Sequence, residues 1–267
     1  MTVASTRSVP GPVDAPVAPP KVVRQRRMRP WLLGLAVLLI ALGGLLGIRH
    51  GPYYDGCTRY WSKAILWAGG VPVYVEGVEN IPDNQPEIIV ANHVSWLDIP
   101  ALATTIPKRT RFIAKKELER IPIFGRAWKT AGHISIDRQD RASAVESLER
   151  AGAALRSDNS SVIIFAEGTR SPDGTLQPFK KGAFMLALHT GVNIVPTAIV
   201  GSYEAMPKHE WRHRRVPIIV RFGEPIPMVG FGPDKRDELV ALVRSRIEEL
   251  LAKPDPRLAP PLRDPTH

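Results

Sequence analysis

From Val71 onward the chain alternates short β-type runs with helix-period segments, and no other feature limits its fold so tightly: the alternation calls for an α/β domain. The runs fall at residues 73–76, 88–91, 111–114, 134–137, 161–165, 194–199 and 218–222. Between them Val145, Leu148 and Leu155 share one helical face, and near the end Leu239, Leu242, Val243, Ile247, Leu250 and Leu251 share another. The expectation is a mixed, largely parallel sheet flanked by helices, over residues 71–252. With 267 residues in all, one such core is expected rather than two.

What flanks this region differs in kind. Residues 1–30 carry six prolines and the cluster Lys21, Arg24, Arg26, Arg27 and Arg29, a composition that cannot bury enough surface to order itself, and a disordered basic arm is expected. Residues 31–48 (WLLGLAVLLIALGGLLGI) are eighteen in number and uncharged. As a helix they reach about 27 Å, close to the roughly 30 Å of a bilayer core. The competing reading is a secretory signal peptide, against which stand the long arm, the long apolar run and the lack of an A-x-A site before Arg49. Residues 53–70 mix Tyr60, Trp61 and Trp67 with Asp55, Arg59 and Lys63, as segments at a membrane interface do. Residues 31–70 are therefore expected to anchor the chain as one helix or as a helical hairpin. After Ala252, five prolines in fifteen residues give a second disordered tail, 253–267.

The formal charge of +10 suggests nucleic acid only until it is located. Residues 1–30 hold +5, 31–70 hold +2 and 253–267 hold +1, which leaves +2 for the domain. A duplex-binding protein needs its basic surface on the folded part, whereas here the excess precedes an apolar run, where anionic lipid is the natural counterpart. The one cysteine, Cys57, excludes an internal disulfide and any cysteine-based metal cage.

Three segments carry chemistry, each at the end of a β-type run, where open α/β sheets place their sites. The first is Asn92-His93-Val94-Ser95-Trp96-Leu97-Asp98. On a continuous helix His93 and Asp98 would stand about 140° apart, so they meet only if the chain turns between them. An imidazole with a carboxylate on Nδ1 presents Nε2 as a base for a hydroxyl. The other reading is a helix cap, with Ser95 or Asp98 capping and His93 incidental. The second is Phe165-Ala166-Glu167-Gly168-Thr169-Arg170-Ser171: Gly168 permits a tight turn, Thr169 offers a donor and Arg170 a fork for an anion, although Glu-Gly is also ordinary turn chemistry. The third, Gly132-His133-Ile134-Ser135-Ile136-Asp137-Arg138, brings a second guanidinium to the same expected edge.

Taken together, NHVSWLD, GHISIDR, FAEGTRS and Ile194-Val195-Pro196-Thr197 resemble, in order, the sequence blocks of the lysophosphatidic acid (1-acylglycerol-3-phosphate) acyltransferase family, over about residues 71–225. The resemblance implies the glycerolipid acyltransferase type of α/β fold. It also implies acyl transfer from acyl-CoA or an acyl carrier protein to the free hydroxyl of lysophosphatidic acid. It makes His93 the general base and Asp98 its orienting partner, Arg138 and Arg170 phosphate binders, and Glu167 with Gly168 the turn that positions the acceptor. Two positions depart from the family pattern: Ser135 replaces the usual Phe, and Ala166 the usual Pro. Lys115 matches a lysine common in the family, for which phosphate binding and plain solvation are the two readings.

A thioester acylates an aligned hydroxyl without metal or covalent enzyme intermediate, so no metal and no cofactor beyond the acyl-CoA or acyl carrier protein co-substrate is expected. None of the seven histidines forms an H-E-x-x-H pair. The expected partners are membrane phospholipid, lysophospholipid and the acyl donor, and the expected location is the cytoplasmic membrane with the catalytic domain facing the cytoplasm. The alternatives are another lysolipid or glycolipid acceptor, or a catalytically silent lipid-binding module; the intact His93/Asp98 pair argues against silence. Residues 211–215 (WRHRR) form a basic and aromatic patch, suited either to anionic headgroups or to a solvated loop.

Overall fold

The computed structural model describes residues 21–22, 51–120, 125, 128–129, 131–136, 152–153, 155, 159–210 and 212–258. Within these the chain folds as expected, into one mixed sheet of eight strands with helices on both faces. In chain order the strands are β1 (Lys21–Val22), β2 (Val73–Glu76), β3 (Glu87–Ala91), β4 (Thr110–Lys115), β5 (Ile134–Ile136), β6 (Ser161–Phe165), β7 (Ile194–Val200) and β8 (Ile218–Phe222). Across the sheet they run β1-β2-β8-β7-β3-β6-β4-β5. Only the β1/β2 and β7/β8 pairs are antiparallel. Strand β1, inside the arm expected to be disordered, adds two residues at the edge of β2.

The central strands are buried on both faces, which is why they read as unbroken apolar runs. Side-chain alternation still divides them into two cores. Ile89, Ala91, Ile163, Val195 and Ile199 pack with Leu102 and Ile106, at and just beyond helix α2 (Asp98–Thr105), and with Leu66 of helix α1 (Gly51–Ala68). Ile88, Val90, Val162, Ile164 and Ile194 face the other way, onto Phe184 and Leu186 of α3 (Gly182–Thr190). The same core takes in Leu239, Val243 and Ile247 of α5 (Arg236–Ala252), the expected terminal helix, and Leu155. A single turn, α4 (Ser202–Ala205), follows β7. Val145 and Leu148 lie outside the described residues.

Within the expected second arm of a hairpin, 53–70, the chain forms helix α1, which packs against the domain. In α1, Tyr54, Ala64 and Leu66 are buried, Asp55 accepts from Arg111 Nη1 at 2.6 Å, and Arg59 donates to the Ile106 carbonyl at 2.7 Å. Asp55 and Arg59, two of the three charges that suggested an interface, are thus bound to protein. Among the described residues no helix is long and apolar enough to cross a membrane; the apolar run 31–48 lies outside them.

The fold also continues past Ala252. Arg221 of β8, nearly inaccessible, donates to the Leu250 and Lys253 carbonyls (2.8 Å each) and to Asp255 (3.1 Å). Arg257 pairs with Asp255 and Glu76 and lies over the Tyr74 ring. This clasp ties the post-helical segment onto β2 and β8.

Candidate active site

Strands β3, β4, β5 and β6 are parallel and bring their carboxyl ends to one edge, with Ala91 beside Phe165 and Lys115 beside Ile136. Just past Ala91, the Asn92 side chain accepts from Ile199 N (2.7 Å) and donates to its carbonyl (3.0 Å), which pins the start of the loop to β7. The chain then turns so that His93 Nδ1 meets Asp98 Oδ2 at 2.7 Å. The same oxygen accepts the backbone N–H groups of Val94 and Ser95, both at 2.8 Å. Asp98 is the first residue of α2, and its carboxylate points back and closes the loop. Ser95 is fully buried, with Oγ donating to the Met206 carbonyl at 2.7 Å. Ser95 Oγ also accepts from Leu97 N at 3.2 Å at the entry to α2, so the loop holds both a helix-entry contact and the His93–Asp98 pair.

The His93 side chain retains 15% exposure while Asp98 has none. The imidazole stacks on Phe165 at 3.9 Å and 13°. With Nδ1 occupied, Nε2 is the nitrogen left to meet a hydroxyl.

Glu167, two residues past β6, is buried. Its Oε1 accepts from His93 N at 2.7 Å and its Oε2 from Gln177 N at 2.9 Å. Burial pushes its pKa above the usual carboxylate value, and those two N–H donors oppose the shift. Each oxygen accepts a backbone N–H, so this carboxylate holds the frame of the site. Gly168, at φ 75°, supplies the left-handed residue that the turn after β6 requires. Ser171 N donates to the His93 carbonyl at 2.8 Å, a second link between the first two sequence blocks.

Arg170 is half-buried, its guanidinium over the Trp96 ring at 5.2 Å and its Nη1 donating to the Lys208 carbonyl at 3.1 Å. Burial lowers its pKa, while the Asp98 charge works in the opposite sense. Thr169 is exposed beside it. Lys115 ends β4 at the same edge. Arg138 lies outside the described residues.

The two departures from the family blocks are accommodated locally. Ser135 Oγ accepts from Trp128 Nε1 at 3.1 Å, and Ala166 N donates to the Ala91 carbonyl at 3.4 Å, a bond proline lacks the hydrogen to make. His133 accepts from Phe112 N at 3.2 Å, and burial beside Arg111 takes its pKa down to about 3, so it is a neutral structural residue. Arg212, His213, Arg214 and Arg215 are exposed, with Arg214 paired to Glu210. Three contributors were not singled out from the sequence: Phe165, Gln177 and Trp96. Trp96 and Phe165 each carried a local signal, a large aromatic inside one of the sequence blocks.

The Acyltransferase family model matches residues 72–200, a range that includes both the His93–Asp98 pair and Arg170. The chain is 37% identical over 198 residues to a 1-acyl-sn-glycerol-3-phosphate acyltransferase of Cocos nucifera (74% of this chain, 63% of that one). It is 34% identical over 214 residues to the alpha enzyme of that name from Homo sapiens (80% and 75%). It thus spans just under two thirds of the coconut protein's length and three quarters of the human one's. The crystal structure of the 1-acyl-sn-glycerophosphate (LPA) acyltransferase PlsC from Thermotoga maritima superposes with a TM-score of 0.60 at 31% identity, covering 85% of this chain and 98% of that one. The chain belongs to the 1-acyl-sn-glycerol-3-phosphate acyltransferase family.

Proposed function

We propose that this acyltransferase moves a fatty acyl group from acyl-CoA or an acyl carrier protein to the free hydroxyl of lysophosphatidic acid, giving phosphatidic acid. The observation that carries the reading is the His93–Asp98 pair, with Arg170 on the neighbouring strand end. His93 Nε2 takes the hydroxyl proton as the oxygen attacks the thioester carbonyl. Asp98 holds the tautomer and stabilises the imidazolium, which then returns the proton to the leaving thiolate. Thioester, hydroxyl and base suffice for this chemistry, so neither a metal nor a resident cofactor is assigned. Arg170 grips the acceptor phosphate, together with Lys115 from the end of β4 and with Arg138 as the family resemblance implies.

The proposed location is the cytoplasmic membrane, with the domain on the cytoplasmic side and residues 31–48 as the apolar anchor. Supporting a return to one side, Lys21–Val22 and Gly51 lie before and after that run and both belong to the domain.

The test is a purified-enzyme assay with a panel of lyso-acceptors and both donor types. Turnover is expected to favour the phosphomonoester, and Arg170→Ala to raise the acceptor KM while leaving the donor KM in place. Equal turnover of monoacylglycerol, or an unchanged acceptor KM in Arg170→Ala, would exclude lysophosphatidic acid as the intended acceptor.

A further inference from the structure

Trp96 breaks the pattern of the loop that carries it. Val94, Ser95, Leu97 and Asp98 are buried, whereas the Trp96 ring is 50% exposed, an unusual position for the largest apolar side chain. The Arg170 guanidinium carbon sits over that ring, 5.2 Å from its centroid. Among the described residues the only hydrogen bond Arg170 makes is from Nη1 to the Lys208 carbonyl, at 3.1 Å. The guanidinium is therefore held on one face by the indole and at one nitrogen by a carbonyl. Its Nε and Nη2 remain for a ligand, and two neighbouring N–H groups of this kind grip a phosphate in a bidentate fork. An unrestrained arginine loses rotamer entropy when it is fixed, a cost that restraint by the indole and the carbonyl removes in part.

We propose that Trp96 is a positioning residue for the acceptor: its ring pre-orients Arg170 so that the fork is set before the phosphate arrives. This rests on the reading of Arg170 as a phosphate ligand. It assigns to the loop between base and carboxylate a second duty, in specificity. The loop that aligns His93 for chemistry also aligns the group that selects the substrate, so base and phosphate site keep a fixed spacing.

The experiment uses the full-length enzyme in detergent with a short-chain lysophosphatidic acid, and monoacylglycerol as the phosphate-free acceptor. Trp96→Leu removes the π face and keeps an apolar side chain; Trp96→Gln is the second probe, and circular dichroism verifies folding of each. Both should raise the lysophosphatidic acid KM about twofold to fivefold, the change corresponding to a cation–π contact of roughly 0.5–1 kcal/mol, while kcat and donor KM stay near wild type. Trp96→Phe should restore most of the acceptor affinity, and kinetics with monoacylglycerol should not move. In an Arg170→Ala background, Trp96→Leu should add no further loss.

An additive loss in that background, or an equal loss with monoacylglycerol, would overturn the proposal in favour of a structural role. A defect that vanishes in detergent and appears only as weaker binding to anionic vesicles would overturn it in favour of a bilayer contact. If Arg170→Ala raises the acceptor KM and neither Trp96 probe does, the Trp96 assignment alone fails. If Arg170→Ala itself has no effect, both assignments fail.

Discussion

Asp98 Oδ2 serves three donors, the His93 ring and two backbone N–H groups, so its charge shapes the loop as well as the imidazole. His93→Ala removes only the partly exposed ring and is expected to fold normally, as followed by circular dichroism. Its initial rate of acyl transfer should fall by about 10²–10⁴-fold, the usual share of general-base catalysis. Asp98→Asn should be comparably impaired and also less stable, because the amide can turn an N–H toward donors that need an acceptor. Wild-type turnover in folded His93→Ala would dismiss His93 as the base. Local blocks made His93, Asp98, Glu167 and Arg170 visible in the sequence, because each lies within a few residues of a strand end. What Glu167 binds was not visible. Its partner, the backbone of His93, is brought to it by the register that sets Ala91 beside Phe165, and register is a property of the sheet. Trp96 and Gln177 were hidden for the same reason: their partners come from other segments.

Among the elements, strands were the more legible. Seven short runs of β-branched residues became β2 to β8 with ends shifted by a residue or so, since strands buried on both faces need nothing but apolar character. Helix α3 escaped because Gly182–Thr190 is short and apolar nearly all round, without the contrast that marks a helical face. The segment after α5 escaped because its prolines masked an ionic anchor. That anchor yields a pH prediction. Hydrogen bonds from Arg257, foremost, and from Arg221 hold the Asp255 pKa down at about 2, against 3.8 when unperturbed. A carboxyl more acidic in the folded state than in the unfolded chain stabilises above the unfolded value and loses that contribution as pH falls through the folded one. The clasp should therefore act fully above pH 4 and weaken between about 4 and 2. Asp255→Asn should lower Tm at pH 7 and flatten the slope of Tm against pH in that acid window. An unchanged slope would remove the clasp from the acid response.

For the whole molecule, the decisive geometry is that Lys21–Val22 and α1 belong to one body. Lys21 pairs with Val75 and Val22 with Tyr74, while α1 begins at Gly51 with Asp55 and Arg59 bound to the domain. A chain crossing the bilayer once between residues 22 and 51 would separate these two attachments. Single cysteines at Thr2 and at the exposed Glu224, in a Cys57→Ser background, should therefore be labelled by an impermeant maleimide from the same side. Labelling from opposite sides would refute a one-sided domain and require a donor outside the cytoplasm.

The position of β2 also sets an order of events on the ribosome. Val73–Glu76 pairs only with Lys21–Val22 and, in parallel, with Ile218–Phe222, and Glu76 is held by Arg257 beyond the last long helix. The pairing of β2 with β8 therefore waits for nearly the entire nascent chain, because distant pairings form only after the intervening chain exists. On the location proposed above, residues 31–48 would reach the bilayer before that closure, so delivery would precede completion of the sheet.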